Sequence, residues 1–147
     1  MTFYTVTGIA SQPRLFRDDC ACGSQTALLR DFVSARIVIN QMRRLHEDRS
    51  AASLAFVVMS DHVHWMFQLG GPLQLAAIVK RFKARSAHGR NRHLNRRGAL
   101  WRRDYYDHAI RAKEEFREVT RYIIANPLRA GLACEVDSYS HRDAAWL

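Results

Sequence analysis

Two histidines separated by one apolar residue are the part of this sequence best suited to chemistry. His62 and His64 flank Val63 inside an apolar run over residues 57–67. Because successive side chains of a β-strand point to opposite faces, both imidazoles of a strand would lie on one face while Val63 faces the core. Imidazole is the commonest metal ligand in proteins, so the pair is a candidate half of a divalent-metal site. The alternative is an ordinary pair of strand histidines bonded to their neighbours.

A second pair of polar side chains follows further along the chain. Tyr122 and Asn126 are four positions apart in a segment whose apolar spacing predicts a helix, so they would share one helix face. Asn126 could supply the third ligand that two histidines need to complete a metal site. From the helix alone, Tyr122 could equally be a core residue, and Asn126 before Pro127 could simply end the helix.

The composition predicts a globular protein with a polyanionic partner. The 147 residues contain 23 Lys+Arg and 14 Asp+Glu, which gives a net charge of +9, and lysine occurs only at Lys80, Lys83 and Lys113. The remaining cations are arginines, whose guanidinium groups bind phosphate oxygens in bidentate geometry. A solvated basic surface is the alternative. The length predicts one domain over residues 1–147.

Cysteine usage and hydropathy predict the compartment. The three cysteines, Cys20, Cys22 and Cys134, have neither the even count of a disulfide framework nor the paired spacing of a zinc ribbon. No basic segment followed by a long apolar stretch opens the chain, and no apolar run approaches 18 residues. We therefore expect a cytoplasmic, nucleoid-associated protein without a membrane span. The chain also lacks a Gly-x-x-x-x-Gly-Lys-[Ser/Thr] loop, so we expect no nucleotide cofactor.

Hydrophobic periodicity predicts the order β-α-β-β-α-β followed by one extra helix. Strands are predicted over residues 3–8, 54–59 and 62–69 and near 107–111, and helices from Ser24 to about 47, from Pro72 to about 88 and over 113–125. A loop is predicted over 11–23, a turn over 48–52, a basic segment over 89–98 and an irregular tail over 131–147. This order is typical of a ferredoxin-like (RRM-like) α+β domain, whose antiparallel sheet has two helices on one face and can hold a site on the other.

The two polar pairs together match a known family pattern. The chain resembles the tyrosine transposases of the HUH endonuclease superfamily, and most closely the branch associated with repetitive extragenic palindromes (REP). The resemblance lies in the His62-Val63-His64 motif and in two further runs, residues 101–111 and 122–132. It implies that the histidines are paired metal ligands, that Asn126 completes the metal site and that Tyr122 is the nucleophile. The implied ion is Mg²⁺ or Mn²⁺, and the histidines favour Mn²⁺.

The resemblance also implies an activity, namely cleavage of single-stranded DNA beside a palindromic hairpin. Tyr122 would form a 5′-phosphotyrosine and release a 3′-hydroxyl, which permits rejoining without a nucleotide cofactor. We expect a monomer rather than a dimer. One alternative is a catalytically idle module that binds hairpins or single strands on the same fold. Another is a nuclease in which water attacks the phosphate directly.

Basic side chains are the candidate DNA contacts. The densest positive stretch lies between residues 80 and 103, where aromatic residues alternate with cations, a pattern that suits phosphate contacts and base stacking. Tyr105 and Tyr106 are expected to pack or to stack on DNA. Two further arginines are predicted in the loop after the first strand. The candidate DNA-binding residues are Arg14, Arg17, Lys80, Lys83, Arg85, Arg96, Arg97, Arg102, Arg103, His108 and Arg111.

Overall fold

An antiparallel sheet of five strands is the framework of the fold. The computed structural model describes residues 12–21, 28–71, 74–131 and 141–144. The strands are β1 (Arg14–Asp19), β2 (Ala51–Val58), β3 (His62–Leu69), β4 (Tyr106–Ala109) and β5 (Arg142–Ala144). The helices are α1 (Phe32–Glu47), α2 (Leu75–Leu94) and α3 (Lys113–Arg129). The strand order β4-β1-β3-β2-β5 contains the ferredoxin-like arrangement, so the predicted α+β fold with an additional C-terminal helix is confirmed.

Different helices bury the two faces of the sheet. Phe16 of β1 and Trp65 of β3 are cross-strand neighbours, and they pack in one apolar cluster with residues of α1 and α2. On the other face, Val57 and Met66 pack in a second cluster with Ile123 of α3. The face expected to hold a site is therefore partly covered by α3. Within the described residues, no helix is both long enough and apolar enough to cross a membrane.

The first described strand lies where a loop was predicted. β1 occupies residues 14–19, inside the predicted loop over 11–23, whereas the strand predicted over 3–8 lies outside the described residues. The loop prediction was wrong because the charges of this segment have tertiary partners. Arg14 pairs with Asp107 of β4, and Asp18 pairs with Lys83 of α2. Arg14 and Arg17 consequently lie on a strand and not in a loop.

The first helix begins later than predicted. Asp31 is its N-cap, and the Asp31 carboxylate accepts a hydrogen bond of 2.8 Å from the backbone N–H of Ser34. The prediction of Ser24 as the N-cap was wrong, although Ser24 itself lies outside the described residues. Leu28 and Leu29 precede the helix and are buried in the core. The predicted end near residue 47 is confirmed.

Both later helices continue past the residues predicted to end them. α2 begins at Leu75 rather than Pro72 and extends to Leu94 through part of the basic segment. A Cβ on Gly89 would lie 2.9 Å from Ile37 Cγ2, so glycine at this helical position permits close approach of α2 to α1. α3 continues through Pro127, which is buried, to Arg129. The remaining corrections are at strands: β2 begins inside the predicted turn, β4 spans residues 106–109, and β5 lies in the predicted irregular tail.

A buried carboxylate connects β1 to α2. Asp18 is 0% exposed, and its Oδ1 lies 3.4 Å from Lys83 Nζ. The same ammonium group donates a 2.7 Å hydrogen bond to the carbonyl oxygen of Arg102. Burial raises the pKa of Asp18 to about 7, although the Lys83 ammonium opposes this shift. Lys83 therefore links β1 to the segment that leads into β4.

We predict that Asp18→Asn reduces the pH dependence of stability. The folded-state pKa of about 7 exceeds 3.8, the ordinary pKa of an aspartate side chain, so the contribution of Asp18 to stability is present below pH 3.8 and lost as the pH rises through 7. A neutral amide has no such loss. The free energy of unfolding of the variant minus that of the wild type should increase by on the order of 3 kcal/mol between pH 4 and pH 8. Urea titrations at both pH values measure this difference, and equal differences would contradict the prediction.

Candidate active site

The histidine pair lies on β3, on the sheet face that α3 covers. The ring centroids of His62 and His64 are 4.9 Å apart, and the strand has the predicted bounds. Asp61 Oδ1 lies 2.7 Å from His62 Nδ1, which orients that ring and leaves its Nε2 for another partner. In the sheet, His64 is the cross-strand neighbour of Val57 on one side and of Arg17 on the other. The spacing therefore places both imidazoles on one face.

His64 is buried without satisfying its polar atoms. It is 3% exposed, and neither ring nitrogen has a hydrogen-bond partner among the described residues. Burial first, then the charges of His62 and Arg17, lowers the pKa of His64 to about 3. The imidazole is consequently neutral near pH 7, which is the form that binds a metal ion. Buried polar atoms usually have hydrogen-bond or metal partners, so the two unpartnered nitrogens of His64 indicate a place for a ligand.

The helix α3 positions Tyr122 beside this imidazole. Phe116, Ile123 and Ile124 pack against the sheet and hold the helix there. Tyr122 lies at the edge of the packed face and is 36% exposed. Its ring centroid is 5.4 Å from that of His64, with the two ring planes at 87°. The phenol is thus next to the histidine pair and accessible from solvent.

Asn126 lies one helical turn after Tyr122. Its Nδ2 is buried and has no hydrogen-bond partner among the described residues. Rotation of the amide by 180° exchanges Nδ2 with Oδ1, which would present an oxygen ligand at the same position. The alternative in which Asn126 ends the helix is wrong, because α3 continues to Arg129.

One guanidinium group lies against Tyr122, and another lies on the strand position beside His64. Arg129 Cζ lies 4.3 Å from the centroid of the Tyr122 ring, a cation–π contact. Arg17 Nη2 lies 3.1 Å from Asp19 Oδ1 on the neighbouring strand β1. Such groups suit an anionic phosphodiester near the phenol. Arg129 was not among the residues predicted from the sequence, although its position seven residues after Tyr122 indicates the same helix face.

The residues present fit a divalent metal ion. His64 offers unpartnered imidazole nitrogen, His62 has a ring oriented by Asp61, and Asn126 offers a buried amide without a partner. Two imidazoles and an amide oxygen form a donor set that Mn²⁺ accepts and that Mg²⁺ accepts less readily. In the part of the chain that the structure describes, no group of three or more His, Cys, Asp or Glu could hold a metal.

The predicted DNA-binding residues fall into a paired group and an exposed group. In the paired group, Arg14 pairs with Asp107 and Arg17 with Asp19. Lys83 pairs with Asp18, and His108 contacts Glu115. Trp101, an aromatic residue of the basic stretch, is only 6% exposed, and its Nε1 donates to Ser86 Oγ, so it belongs to the core. The exposed group lies on α2 and on the segments flanking β4, and a DNA-binding role for it stays a prediction. Its members are Lys80, Arg85, Arg96, Arg97, Arg103 and Arg111, together with exposed Arg102, whose Nε lies 3.6 Å from Asp104 Oδ1.

We predict that His64 remains neutral under mildly acidic conditions. Its pKa of about 3 in the folded protein lies below 6.5, the ordinary pKa of a histidine side chain, because burial disfavours the imidazolium. In NMR spectra of ¹³C-histidine-labelled protein, the His64 ring resonance should stay constant between pH 7.5 and pH 5. The resonance absent from His64→Gln identifies it. Titration of this resonance near pH 6.5 would contradict the burial argument.

Known proteins similar to this chain are transposases. The profile of the family described as "Transposase IS200 like" matches residues 25–126. The structure of a REP-associated tyrosine transposase bound to a REP hairpin has a TM-score of 0.76 and 20% sequence identity, and the alignment covers 97% of this chain and 82% of that chain. A crystal structure from Deinococcus radiodurans, described as a candidate transposase, has a TM-score of 0.59 and 19% identity, with coverage of 83% and 95%. No curated protein sequence matches. The profile covers most of the chain, including both histidines, Tyr122 and Asn126, and the chain belongs to the IS200-like transposase family.

Proposed function

We propose that this chain cleaves and rejoins single-stranded DNA beside a hairpin through a covalent bond to Tyr122. One observation carries the proposal: the accessible Tyr122 ring lies 5.4 Å from a buried imidazole whose nitrogens have no partner among the described residues. A nucleophile next to unsatisfied metal-ligand atoms is an arrangement suited to phosphoryl transfer. Membership of a transposase family supports DNA as the substrate.

The proposed reaction exchanges one phosphodiester for another. Tyr122 Oη loses its proton and attacks the phosphorus, and the bond between phosphorus and the 3′ oxygen breaks. The products are a 5′-phosphotyrosine and a 3′-hydroxyl, which takes up a proton. In the reverse direction a 3′-hydroxyl attacks the phosphotyrosine and releases Tyr122. Because the covalent bond retains the energy of the phosphodiester, no nucleotide is hydrolysed.

Side chains around Tyr122 have separate roles in this proposal. His62, His64 and Asn126 would hold Mg²⁺ or Mn²⁺, which when bound supplies Lewis-acid stabilisation of charge on the phosphate. Arg129 stacks on the phenol and restricts its orientation. Arg17, the cross-strand neighbour of His64, would contact the phosphodiester.

The exposed sheet surface supports binding of an unpaired strand. Tyr106 of β4 is the cross-strand neighbour of Arg17 and is 55% exposed. An exposed aromatic ring next to a cation offers base stacking and phosphate contact together. A hairpin as the adjoining element is supported by the fold match, because that structure is described with a REP hairpin bound.

We predict that Tyr122→Phe abolishes the covalent protein–DNA adduct. The substitution keeps the ring and removes the attacking oxygen. Wild-type protein incubated with hairpin-flanked single-stranded DNA and Mn²⁺ should give a slower-migrating species on a denaturing gel, and the variant should give none. Tyr105→Phe is the matched control, since Tyr105 packs against Phe16 with 5.5 Å between ring centroids. An adduct formed by Tyr122→Phe would disprove the assignment of the nucleophile.

The same gel separates the alternative functions. Cleavage without any adduct would favour a nuclease in which water attacks the phosphate. Tight DNA binding that resists chelation, without cleavage in Mg²⁺ or Mn²⁺, would favour a catalytically idle binding module.

We further predict that the affinity for Mn²⁺ depends on all three proposed ligands. His62→Ala, His64→Ala and Asn126→Ala should each weaken Mn²⁺ binding at least about tenfold, the loss typical even of residues that only support a ligand. Calorimetric titration of the DNA-free protein measures the affinity. His88→Ala is the control, because His88 is exposed on α2, which covers the opposite sheet face. Equal affinities for the His64 and His88 variants would count against the site, as would cleavage that persists in excess EDTA.

A further inference from the structure

A cleft of about 600 Å³ lies between the start of α1 and the end of α2. Its charged lining consists of three arginines, one histidine and one aspartate, namely Arg30, Arg90, Arg96, His93 and Asp31. The aspartate is already engaged, because it caps α1 through the N–H of Ser34 and lies 3.9 Å from His93 Nε2. The cleft is therefore a concentration of guanidinium groups with little opposing charge.

One of these arginines is buried. Arg90 is only 4% exposed, and its Nε has no hydrogen-bond partner among the described residues. Its Nη1 donates a 3.1 Å hydrogen bond to Asn91 Oδ1, a neutral acceptor. A desolvated cation with an unsatisfied donor is costly unless an anion completes its contacts. A phosphate group has the charge and the geometry that a guanidinium group binds.

The end of α2 holds a second arginine of the cleft in place. Asn95 ends the helix in the left-handed conformation with φ of 50°, and the N–H of Arg96 donates a 2.9 Å hydrogen bond to the Asn91 carbonyl. Asn91 Nδ2 also donates to the carbonyl of Gly98, at 2.8 Å. Asn91 thus contacts Arg90 and fixes the backbone that carries Arg96. The cleft is a built site rather than a chance group of surface charges.

An aromatic ring at the cleft suits a nucleotide base. Phe32 lines the cleft and is 57% exposed, an unusual position for a phenylalanine. Arg36 Cζ lies 5.2 Å from the ring centroid, the His141 ring contacts the same ring at 5.2 Å between centroids, and the rest of the ring is open to the cleft. Bases stack on aromatic side chains wherever proteins bind single strands, and nearby arginines bind the backbone.

The cleft adjoins the candidate active site through the β2–β3 turn. The N–H of Leu29, which precedes α1, donates a 2.8 Å hydrogen bond to the carbonyl of Ser60. Ser60 is followed by Asp61, which contacts His62. The cleft lies on the α1 and α2 side of the sheet and the histidines on the α3 side, so this turn separates them. A DNA strand leaving Tyr122 would have to pass over this turn to enter the cleft.

We propose that this cleft binds a backbone phosphate of the DNA strand that continues from the tyrosine site, with the adjoining base against Phe32. The inference rests on the proposed function, since it takes DNA as the ligand. Arg90 provides the buried contact, and Arg30 and Arg96 complete the phosphate site from its exposed side. The cleft thereby extends the DNA-binding surface to the opposite face of the sheet.

The test removes the exposed half of the site, because substitution of buried Arg90 can unfold the protein. The double variant Arg30→Gln/Arg96→Gln is compared with Arg43→Gln/Arg44→Gln, which removes the same charge from the exposed surface at the other end of α1. Binding of a hairpin with single-stranded flanks is measured by fluorescence anisotropy in EDTA over a salt series. The cleft variant should bind the DNA about tenfold more weakly, and the magnitude of its slope of log K against log salt concentration should fall by about 1. The control variant should bind about twofold more weakly or less.

A neutral methylphosphonate scanned along the flanks then locates the phosphate. Substitution at one position should weaken wild-type binding and leave the cleft variant unaffected. Equal affinities for the cleft and control variants would overturn the inference, and so would stabilisation of the cleft by inorganic phosphate with no effect on DNA affinity. Adduct formation by Tyr122 is scored separately at saturating DNA. If Tyr122 forms an adduct but the cleft and control variants bind DNA equally well, the proposed function stands and the cleft inference fails. If only the cleft variant loses DNA affinity and no adduct forms, the cleft inference stands and the catalytic proposal fails.

Discussion

The pairing of β3 between β1 and β2 is the interaction on which the rest of the structure depends. At the centre of the sheet, β3 has both backbone edges bonded, so its side chains have fixed faces. Trp65 enters the core under α1 and α2 while His64 faces α3. A shift of one residue would exchange these faces and bury the imidazoles among aromatic rings. The geometry of the candidate site is therefore a consequence of strand register.

The burial of His64 without hydrogen-bond partners among the described residues is the clearest sign of a functional site in this structure. A neutral imidazole with two unpartnered nitrogens is unfavourable in a core, and the helix that buries it also brings Tyr122 and Asn126. Arg90 repeats the pattern on the other side of the sheet, with a buried donor and no partner among the described residues. Buried polar atoms without partners occur at other positions as well, but at His64 and Arg90 they lie beside further polar or aromatic side chains that suit a ligand. The exposed arginines are more numerous, but their exposure alone does not locate a binding site.

Prediction from the sequence succeeded where local pattern was strong. The alternation in residues 62–69 predicted β3 at its observed bounds, and the apolar periodicity of residues 113–125 predicted the body of α3. It failed where tertiary partners outweigh local signals. Asp18 and Arg14 fall in a segment predicted to be a loop, whereas in the structure they lie on β1 and pair with Lys83 and Asp107. Pro127 looked like a helix end, yet burial of its ring stabilises continuation of α3.

The sequence by itself determined the strand with its histidine pair, the helix with Tyr122 and Asn126, and the family to which the chain belongs. These follow from spacing along the chain, which local periodicity records. Only the tertiary structure decided that the Tyr122 ring contacts the His64 ring, that Lys83 pairs with Asp18 and that Arg90 is buried in a cleft. Contacts between distant segments depend on how whole faces pack, and hydrophobic patterning leaves the positions of individual charges undetermined.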